Sequence, residues 1–268
     1  MVERILITGA AGSIGTMLRS RLARPGRVLR LLDVVSVEPG AAEEAVTASV
    51  TDPVALEEAC AGVTAVVHLG GFSSEASWDG VLEVNIGGTH TVLESARRAG
   101  VRRVVLASSN HAVGYFAKSD SSSGEAPDYL FPAPDTYYGV SKVAMEALGS
   151  LYARRYGMDV IATRIGSCFA APRDERMLAT WLSPDDAGRL FEACLTAPAP
   201  GFRVVWGVSA NRRRWFSGAE GEALGFVPQD DAEDHAASVT PSSEVALDHV
   251  GGAWVGPEWD TAVKDAGR

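Results

Sequence analysis

The segment Arg4-Ile5-Leu6-Ile7-Thr8-Gly9-Ala10-Ala11-Gly12-Ser13-Ile14-Gly15 joins an apolar run to three glycines spaced three residues apart. The apolar run predicts a buried strand, and residues 12–23 have helical periodicity. Glycines let the backbone turn tightly and approach a pyrophosphate, and the helix N-terminus adds free N–H groups and partial positive charge. We therefore predict a dinucleotide-binding loop whose contacts are Gly9, Ala11, Gly12, Ser13, Ile14 and Gly15.

Short apolar runs alternate with helical patterns over the first two thirds of the chain. Further strands are predicted at residues 28–33, 45–50, 65–69, 103–107 and 159–164. Further helices are predicted at residues 53–60, 78–100 and 138–156. This alternation predicts an α/β fold with a Rossmann-type doubly wound parallel sheet. We expect an NAD-binding Rossmann domain over residues 1–165 and a small substrate-binding portion over 166–268, interwoven into one compact unit.

Composition narrows the possible partners and the compartment. The 268 residues carry a formal net charge of −10, which repels phosphate backbones, so we expect no nucleic-acid partner. The three cysteines are widely spaced, which predicts neither a disulfide framework nor a metal site and favours a reducing cytoplasm. No apolar run approaches the roughly 18 residues of a membrane span.

Asp33 ends the second predicted strand, where a carboxylate accepts hydrogen bonds from the adenosine ribose hydroxyls. No lysine or arginine is placed there to receive a 2′-phosphate, and Asp33 would repel one, so we predict NAD rather than NADP. Asp52 is a candidate N-cap before Pro53 and is included among the cofactor contacts. The remaining predicted cofactor contacts lie at strand ends: Leu69, Gly70, Gly71, Ala107 and Ile165.

Tyr138-Gly139-Val140-Ser141-Lys142 places a tyrosine and a lysine on one helical face. A tyrosine with a pKa of about 10 is too weak a base near neutrality, and an adjacent ammonium would lower that pKa. Ser109, at a strand end, can hydrogen-bond the reacting oxygen. We predict Tyr138, Lys142 and Ser109 as the catalytic residues, with Tyr138 and Lys142 also contacting the cofactor.

These motifs resemble, in order, those of the extended short-chain dehydrogenase/reductase family from Arg4 to about Gly225. Asn85 matches the helix asparagine of that family and is predicted to contact the cofactor. Within the family, the chain most resembles the uronate dehydrogenases. The matching segments are residues 108–114, 164–168, 176–181, 205–211 and 251–254.

The resemblance implies NAD-dependent oxidation at C1 of D-glucuronate or D-galacturonate to the aldaric acid lactone, with Tyr138 as the base. It also implies that Arg176 grips the substrate carboxylate, as a guanidinium can with two parallel hydrogen bonds. The expected sugar contacts are Ser73, Ser109, Asn110, His111, Tyr138, Ser167 and Arg176. Ser73 also fits a turn residue, His111 a strand-end histidine bonded to backbone, and Arg176 a surface ion pair with Asp174 or Glu175.

Two other functions fit the same sequence. One is a different enzyme of the wider family, acting on a nucleotide-sugar or another aldose, without the role for Arg176. The other is a dinucleotide-sensing protein that has lost catalysis, although such proteins typically lose the tyrosine or the lysine. The resemblance also implies a homo-oligomer, because members of the family commonly self-associate, and the apolar positions on the helix over residues 143–156 allow it. The loop at residues 117–135 is expected to lie over the site.

Overall fold

Seven parallel strands form one sheet in the computed structural model, which describes residues 2–259. The strands are β1 Glu3–Thr8, β2 Arg27–Asp33, β3 Glu43–Thr47, β4 Ala65–His68, β5 Arg103–Ser109, β6 Asp159–Ile165 and β9 Phe202–Gly207. Their order is β3-β2-β1-β4-β5-β6-β9. Two short strands, β7 Ser167–Cys168 and β8 Trp181–Leu182, pair separately.

Helices cover both faces of this sheet. They are α1 Ser13–Leu22, α2 Pro53–Cys60, α3 Trp78–Gly80, α4 Gly88–Arg98, α5 Tyr137–Tyr156, α6 Met177–Thr180, α7 Pro184–Thr196, α8 Ala219–Ala223 and α9 Glu244–Asp248. A π-helical turn, Val81–Gly87, joins α3 to α4. The sequence pattern had predicted one helix across this whole region, so the π turn is a local departure from it.

Successive side chains along each strand point to opposite faces of the sheet, so each face has its own hydrophobic core. In β1, Ile5 and Ile7 pack into the core that contains α1 and α7, while Leu6 packs into the opposite core with α2, α4 and α5. All three side chains are at most 1 % exposed. Burial on both faces explains why the strands are near-continuous apolar runs rather than alternating ones.

The strand order reverses beside β1, because β2 lies on one side of it and β4 on the other. Loops leaving the carboxyl ends of β1 and β4 diverge there and open a crevice, the usual ligand position in such sheets. The predicted doubly wound parallel sheet is therefore confirmed. Strand β9, which follows residue 165, completes the same sheet at its edge.

One local prediction was wrong. Residues 117–135 do not line the crevice; they pack through isolated bridges of Ala117 with His249 and of Ala126 with Phe216. The crevice wall instead includes Pro241, Ser242, Ser243 and Ala246, from a polar and mostly exposed segment near the end of the chain. Such contacts are missed because irregular segments carry no periodic signal of what they pack against.

Candidate active site

One cavity of about 1060 Å³ follows the carboxyl ends of the strands. It has room for a dinucleotide and a small second ligand. The predicted cofactor contacts that line it are Gly9, Ala11, Gly12, Ser13, Ile14, Gly15, Asp33, Leu69, Gly70, Gly71, Ala107, Tyr138, Lys142 and Ile165. The predicted sugar contacts that line it are Ser73, Ser109, Asn110, His111, Tyr138, Ser167 and Arg176.

The glycine loop is shaped by close backbone approach. Gly9 has a φ of +71°, and a Cβ there would lie 2.7 Å from the backbone of Leu69 and Gly70. A Cβ on Gly15 would lie 2.5 Å from the carbonyl oxygen of Gly9. Helix α1 begins directly after Gly12, which has no side chain to cap it. Its first N–H groups are thus available to a bound anion.

Asp33 stands at the end of β2, beside this loop. Its carboxylate accepts hydrogen bonds from the backbone N–H of Ala11 at 2.9 Å and of Val35 at 3.0 Å. These bonds fix the carboxylate at the cavity wall, with lone pairs left for further donors. A negative charge held there fits ribose hydroxyls and disfavours a phosphate.

Two predicted cofactor contacts, Asp52 and Asn85, do not line the cavity. The Asp52 carboxylate caps α2, accepting from Val54 N at 3.0 Å and Ala55 N at 3.1 Å. Its predicted N-cap geometry is confirmed, and that geometry turns it away from the cavity, which Ser49 and Val50 line instead.

Asn85 links two segments of the site by hydrogen bonds without facing the cavity. Its side chain accepts from the backbone N–H of Phe72 at 2.8 Å and donates to Ser141 Oγ at 2.9 Å. It is 1 % exposed and therefore ties the loop after β4 to helix α5 rather than facing a ligand. In this role it positions Phe72 and Ser73, both of which line the cavity.

Tyr138 and Lys142 lie one turn apart on α5, each 7 % exposed. Lys142 Nζ donates to the carbonyl of Ala107 at 2.7 Å and lies 5.2 Å from the Tyr138 ring centroid. Ser109, at the end of β5, accepts from the backbone N–H of His111 at 3.2 Å. The expected trio thus converges at the middle of the cavity.

The expected lowering of the Tyr138 pKa is not found. Burial raises the pKa of Tyr138 to about 12, and a hydrogen bond with Ser109 opposes that rise only in part. Burial likewise lowers the pKa of Lys142 to about 8. Desolvation outweighs the pairing of these groups because Lys142 points its ammonium at a carbonyl rather than at the phenol oxygen.

A buried ion pair lies behind the trio. Glu146, one turn beyond Lys142 on α5, accepts from Arg164 Nε at 2.9 Å and Nη2 at 2.8 Å. The same carboxylate accepts from Ser108 Oγ at 2.7 Å. Its charge opposes the burial that lowers the pKa of Lys142. This network anchors α5 to β5 and β6 at the level of the reacting groups.

Arg176 enters the cavity from the turn preceding α6. Its Nη2 donates to the carbonyl of Val250, and Asn110 Nδ2 donates to the same carbonyl at 2.7 Å. Arg176 Nε is buried and has no hydrogen-bond partner within residues 2–259. Burial lowers the pKa of Arg176 to about 10, so the guanidinium is charged at neutral pH. The ion pair with Asp174 or Glu175 considered from the sequence does not form.

The other polar sugar-side residues have defined partners. His111 Nδ1 lies 2.7 Å from Asp135 Oδ2, and Ser167 Oγ lies 3.0 Å from Thr180 Oγ1. The histidine thus bonds a carboxylate rather than the backbone. Ser73 is exposed in the loop between β4 and α3 and lines the cavity.

Sequence reasoning missed the aromatic wall of this end of the cavity. Trp254 stacks on His111 with ring centroids 3.9 Å apart and packs edge-to-face with Tyr138, with centroids 6.0 Å apart. Phe72 and Phe169 line the same end. The segment 251–254 was noticed only through its resemblance to known enzymes, because nothing in its local pattern indicates that it returns to the site.

Three further features of residues 2–259 concern metal ligands, cysteines and long apolar helices. They hold no cluster of three histidine, cysteine or acidic side chains that could bind a metal ion. Cys60, Cys168 and Cys194 are buried and free. No helix in the described part of the chain is long and apolar enough to cross a membrane.

A cavity at the switch point of a parallel sheet, with a glycine loop at one end and a buried tyrosine and lysine in its middle, defines a dinucleotide-dependent enzyme of the Rossmann class. Comparison with known families is more specific. The model of the NAD dependent epimerase/dehydratase family matches residues 5–215, and the chain belongs to that family.

Individual relatives cover nearly the whole chain. The uronate dehydrogenase of Pseudomonas putida is 40 % identical over 92 % of this chain and 91 % of its own length. A structure of the Agrobacterium tumefaciens uronate dehydrogenase, a tyrosine-to-alanine variant complexed with NAD, has a TM-score of 0.88 and 37 % identity, covering 94 % of this chain and 97 % of that one. An NAD-dependent glucose-6-phosphate dehydrogenase of Haloferax volcanii is 36 % identical over 91 % of this chain and 100 % of its own length.

Proposed function

We propose that the protein oxidises C1 of hexuronic acids, D-glucuronate and D-galacturonate, to the aldaric acid lactone with NAD as the hydride acceptor. The observation that carries the proposal is the charged guanidinium of Arg176, which lies in the same cavity as Tyr138 and Ser109. Its buried Nε–H has no hydrogen-bond partner within residues 2–259. A buried guanidinium with a free N–H calls for an anion, and a carboxylate matches its fork geometry. The relatives that are uronate dehydrogenases support the same substrate.

The cofactor half of the cavity fits NAD. The glycine loop leaves room for a pyrophosphate at the start of α1, and Asp33 presents a carboxylate to the adenosine ribose. The same carboxylate disfavours the 2′-phosphate of NADP, because two anions would meet at the cavity wall. The glycine loop and Asp33 would hold NAD, which would supply the hydride acceptor and a positively charged ring.

Tyr138 accepts the proton of the C1 hydroxyl in this proposal. The burial that raises its pKa also excludes water from the reacting atoms, and a nearby positive charge lowers that pKa again. Lys142 supplies an N–H donor for a ribose hydroxyl, and its ammonium lies 5.2 Å from the centre of the Tyr138 ring. Ser109 holds the sugar oxygen through its hydroxyl while the carbonyl forms.

The remaining sugar contacts are proposed from their place on the cavity wall. Arg176 grips the carboxylate at one end, and Ser73, Asn110, His111 and Ser167 meet the ring hydroxyls. Each is a neutral or charged hydrogen-bonding group, as a polyhydroxylated anion requires.

A second candidate is oxidation of a phosphorylated aldose. The Haloferax volcanii relative is a glucose-6-phosphate dehydrogenase, and a guanidinium can grip a phosphate as well as a carboxylate. The same cofactor and catalytic trio would serve. Arg176 lies between two backbone segments, those of Val250 and Gly252, which favours the smaller and planar carboxylate.

Absorbance at the NADH band tests these assignments directly. Purified protein and NAD are mixed separately with D-glucuronate, D-galacturonate, glucose 6-phosphate and glucose. We expect NADH to form with the two uronates only. Formation with glucose 6-phosphate alone would support the second candidate, and no NADH with any sugar would contradict both.

Tyr138→Phe supplies the control for catalysis. The variant keeps the ring and its packing but lacks the oxygen that takes the proton. We expect it to bind NAD and D-glucuronate, measured by calorimetry, with turnover reduced by at least about a thousandfold. Turnover near that of the unchanged protein would remove Tyr138 from the role of base.

A further inference from the structure

The ring of His111 is held in place by contacts with Asp135 and Trp254. Its Nδ1 lies 2.7 Å from Asp135 Oδ2, and its ring stacks on Trp254 with an interplanar angle of 26°. The Tyr138 ring packs against it in an edge-to-face arrangement, with the two centroids 5.8 Å apart. A histidine that served only to fill space would not need a hydrogen bond to a carboxylate.

The Asp135 carboxylate lies in a pocket made for it. Its side chain is fully buried, with 0 % exposure, against 12 % for His111. A Cβ added to Gly114 or to Gly251 would overlap Asp135 Oδ2, so two glycines make room for that oxygen. Its other oxygen accepts from Thr136 Oγ1 at 3.0 Å. Both carboxylate oxygens therefore have hydrogen-bond partners in the protein, and Asp135 does not line the cavity.

The charge state of His111 makes the choice of tautomer important. Burial lowers the pKa of His111, and the positive charge of Arg176 lowers it further, against the opposing effects of Asp135 and Glu75. The ring is therefore neutral near pH 7, and one nitrogen carries a hydrogen while the other accepts. A carboxylate can only accept, so its partner Nδ1 must carry the hydrogen.

We propose that Asp135 is a positioning residue, which fixes His111 as the Nδ1–H tautomer and so makes Nε2 an acceptor that selects a hydroxyl donor on the substrate. Within the described residues Nε2 has no hydrogen-bond partner, and His111 lines the sugar end of the cavity. The substrate part of this proposal rests on the proposed uronate oxidation, whereas the tautomer does not. A sugar analogue in which fluorine replaces the hydroxyl that donates to Nε2 cannot make this hydrogen bond and should bind poorly.

The tautomer can be read without turnover. A long-range ¹H–¹⁵N spectrum of the ¹⁵N-labelled protein at pH 7 distinguishes a protonated ring nitrogen from an unprotonated one, and His111→Gln identifies the His111 signals. We expect a protonated Nδ1 and an unprotonated Nε2. A protonated Nε2, whether alone or together with Nδ1, would overturn the proposal even if the enzyme proves to be a uronate dehydrogenase.

Substitution of Asp135 tests the consequence for substrate. In Asp135→Asn the amide can donate to Nδ1, so we expect the Nε2–H tautomer to appear in the spectrum. The KM for D-glucuronate should rise on the order of tenfold, the size of one neutral hydrogen bond, with the KM for NAD unchanged. An unaltered tautomer with an unaltered KM for D-glucuronate would overturn the positioning role.

Matched variants separate this role from a structural one. Asp128→Asn removes another buried carboxylate that is outside the cavity, and should leave the tautomer and both KM values unchanged. His111→Gln keeps an acceptor near the position of Nε2 and should bind D-glucuronate better than His111→Ala. Equal KM values for these two would overturn the acceptor role. If neither the unchanged protein nor any variant oxidises a uronate, the proposed function is contradicted. The NMR spectrum still tests the His111 tautomer in that case.

Discussion

The carboxylate of Glu75 accepts a hydrogen bond of 2.8 Å from the backbone N–H of Tyr138. It also accepts from the N–H of Tyr137 at 3.2 Å, so it satisfies two of the free donors at the start of α5. Glu75 belongs to the loop after β4 that carries Ser73, and Asn85 ties the other end of this loop to Ser141. The sugar-side loop and the helix of the proposed base are thus held together at two points.

Glu75→Ala should therefore affect catalysis as well as stability. Loss of the two bonds should lower the free energy of unfolding by about 1 kcal/mol, as for other lost helix caps. We expect kcat with D-glucuronate to fall more than the KM for NAD rises, because the bonds end at Tyr138. Urea unfolding and steady-state kinetics measure the two effects.

Glu83→Ala is the matched control for Glu75→Ala. Glu83 lies on the nearby π turn, is exposed and does not line the cavity. Its removal should change neither stability nor kcat appreciably. A Glu75→Ala enzyme with the kcat of the Glu83→Ala enzyme would contradict a coupling between the loop and α5.

Arg176→Ala should weaken uronate binding strongly and leave NAD binding intact. Loss of one partner of a buried charged pair costs roughly 2–5 kcal/mol, which corresponds to at least about a thirtyfold rise in the KM for D-glucuronate. Arg173→Ala is the control, because Arg173 is exposed and stacks on Phe169 from outside the cavity. Similar KM values for the two variants would remove Arg176 from the carboxylate site.

Asp33 should determine the choice between NAD and NADP. Asp33→Asn removes the negative charge while keeping a side chain of the same size at the end of β2. We expect kcat/KM for NADP to rise relative to that for NAD by about tenfold or more, since a charge repulsion of order 1–2 kcal/mol is lost. The ratio of the two kcat/KM values in NADH-band assays is the measurement. A ratio unchanged by the substitution would mean that another group excludes the 2′-phosphate.

His68 should make the protein sensitive to acid. Its ring is fully buried between Thr8 Oγ1 at 2.8 Å and Thr89 Oγ1 at 3.2 Å. Burial, aided by the charge of Lys142, lowers the pKa of His68 from 6.5 to about 3. The unfolded chain therefore binds a proton between these two pH values that the folded protein does not, and folding stability falls as pH falls through this window.

The expected contribution of His68 is a loss of about 2 kcal/mol of unfolding free energy between pH 7.5 and pH 5. His68→Gln cannot titrate, so its unfolding free energy should fall by that much less over the same interval. His90→Gln, at a histidine with an exposed side chain on α4, is the control and should retain the full dependence. Equal pH dependence in His68→Gln and the unchanged protein would contradict a neutral buried ring.

The sequence was sufficient for the parts of the fold that repeat. Buried parallel strands such as β1 and β5 are apolar runs of fixed length, and the glycine loop follows from the chemistry of a tight turn, so both could be predicted. Tyr138 and Lys142 could be paired because one helical turn joins them. Asp52 was assigned two roles at once, and the geometry of an N-cap allows only one of them.

The sugar end of the site could not be built in the same way. The contact of His111 with Asp135 and the stacking of His111 on Trp254 join segments far apart in the chain, without regular structure to set their register. Neither propensity nor periodicity indicates which irregular segment returns to which strand end. The direction of the Tyr138 pKa shift was also beyond the sequence, because it depends first on how completely the fold buries the phenol.

The carbonyl of Val250, which receives both Arg176 and Asn110, is a backbone atom. Evolution can therefore exchange the side chain at this position for another of similar size without altering what the two donors meet. An insertion or deletion nearby would change this acceptor, since it would place a different backbone carbonyl, or none, beside the guanidinium of Arg176. Chain length between α9 and Trp254, more than residue identity at position 250, is what a designer altering this enzyme should leave unchanged.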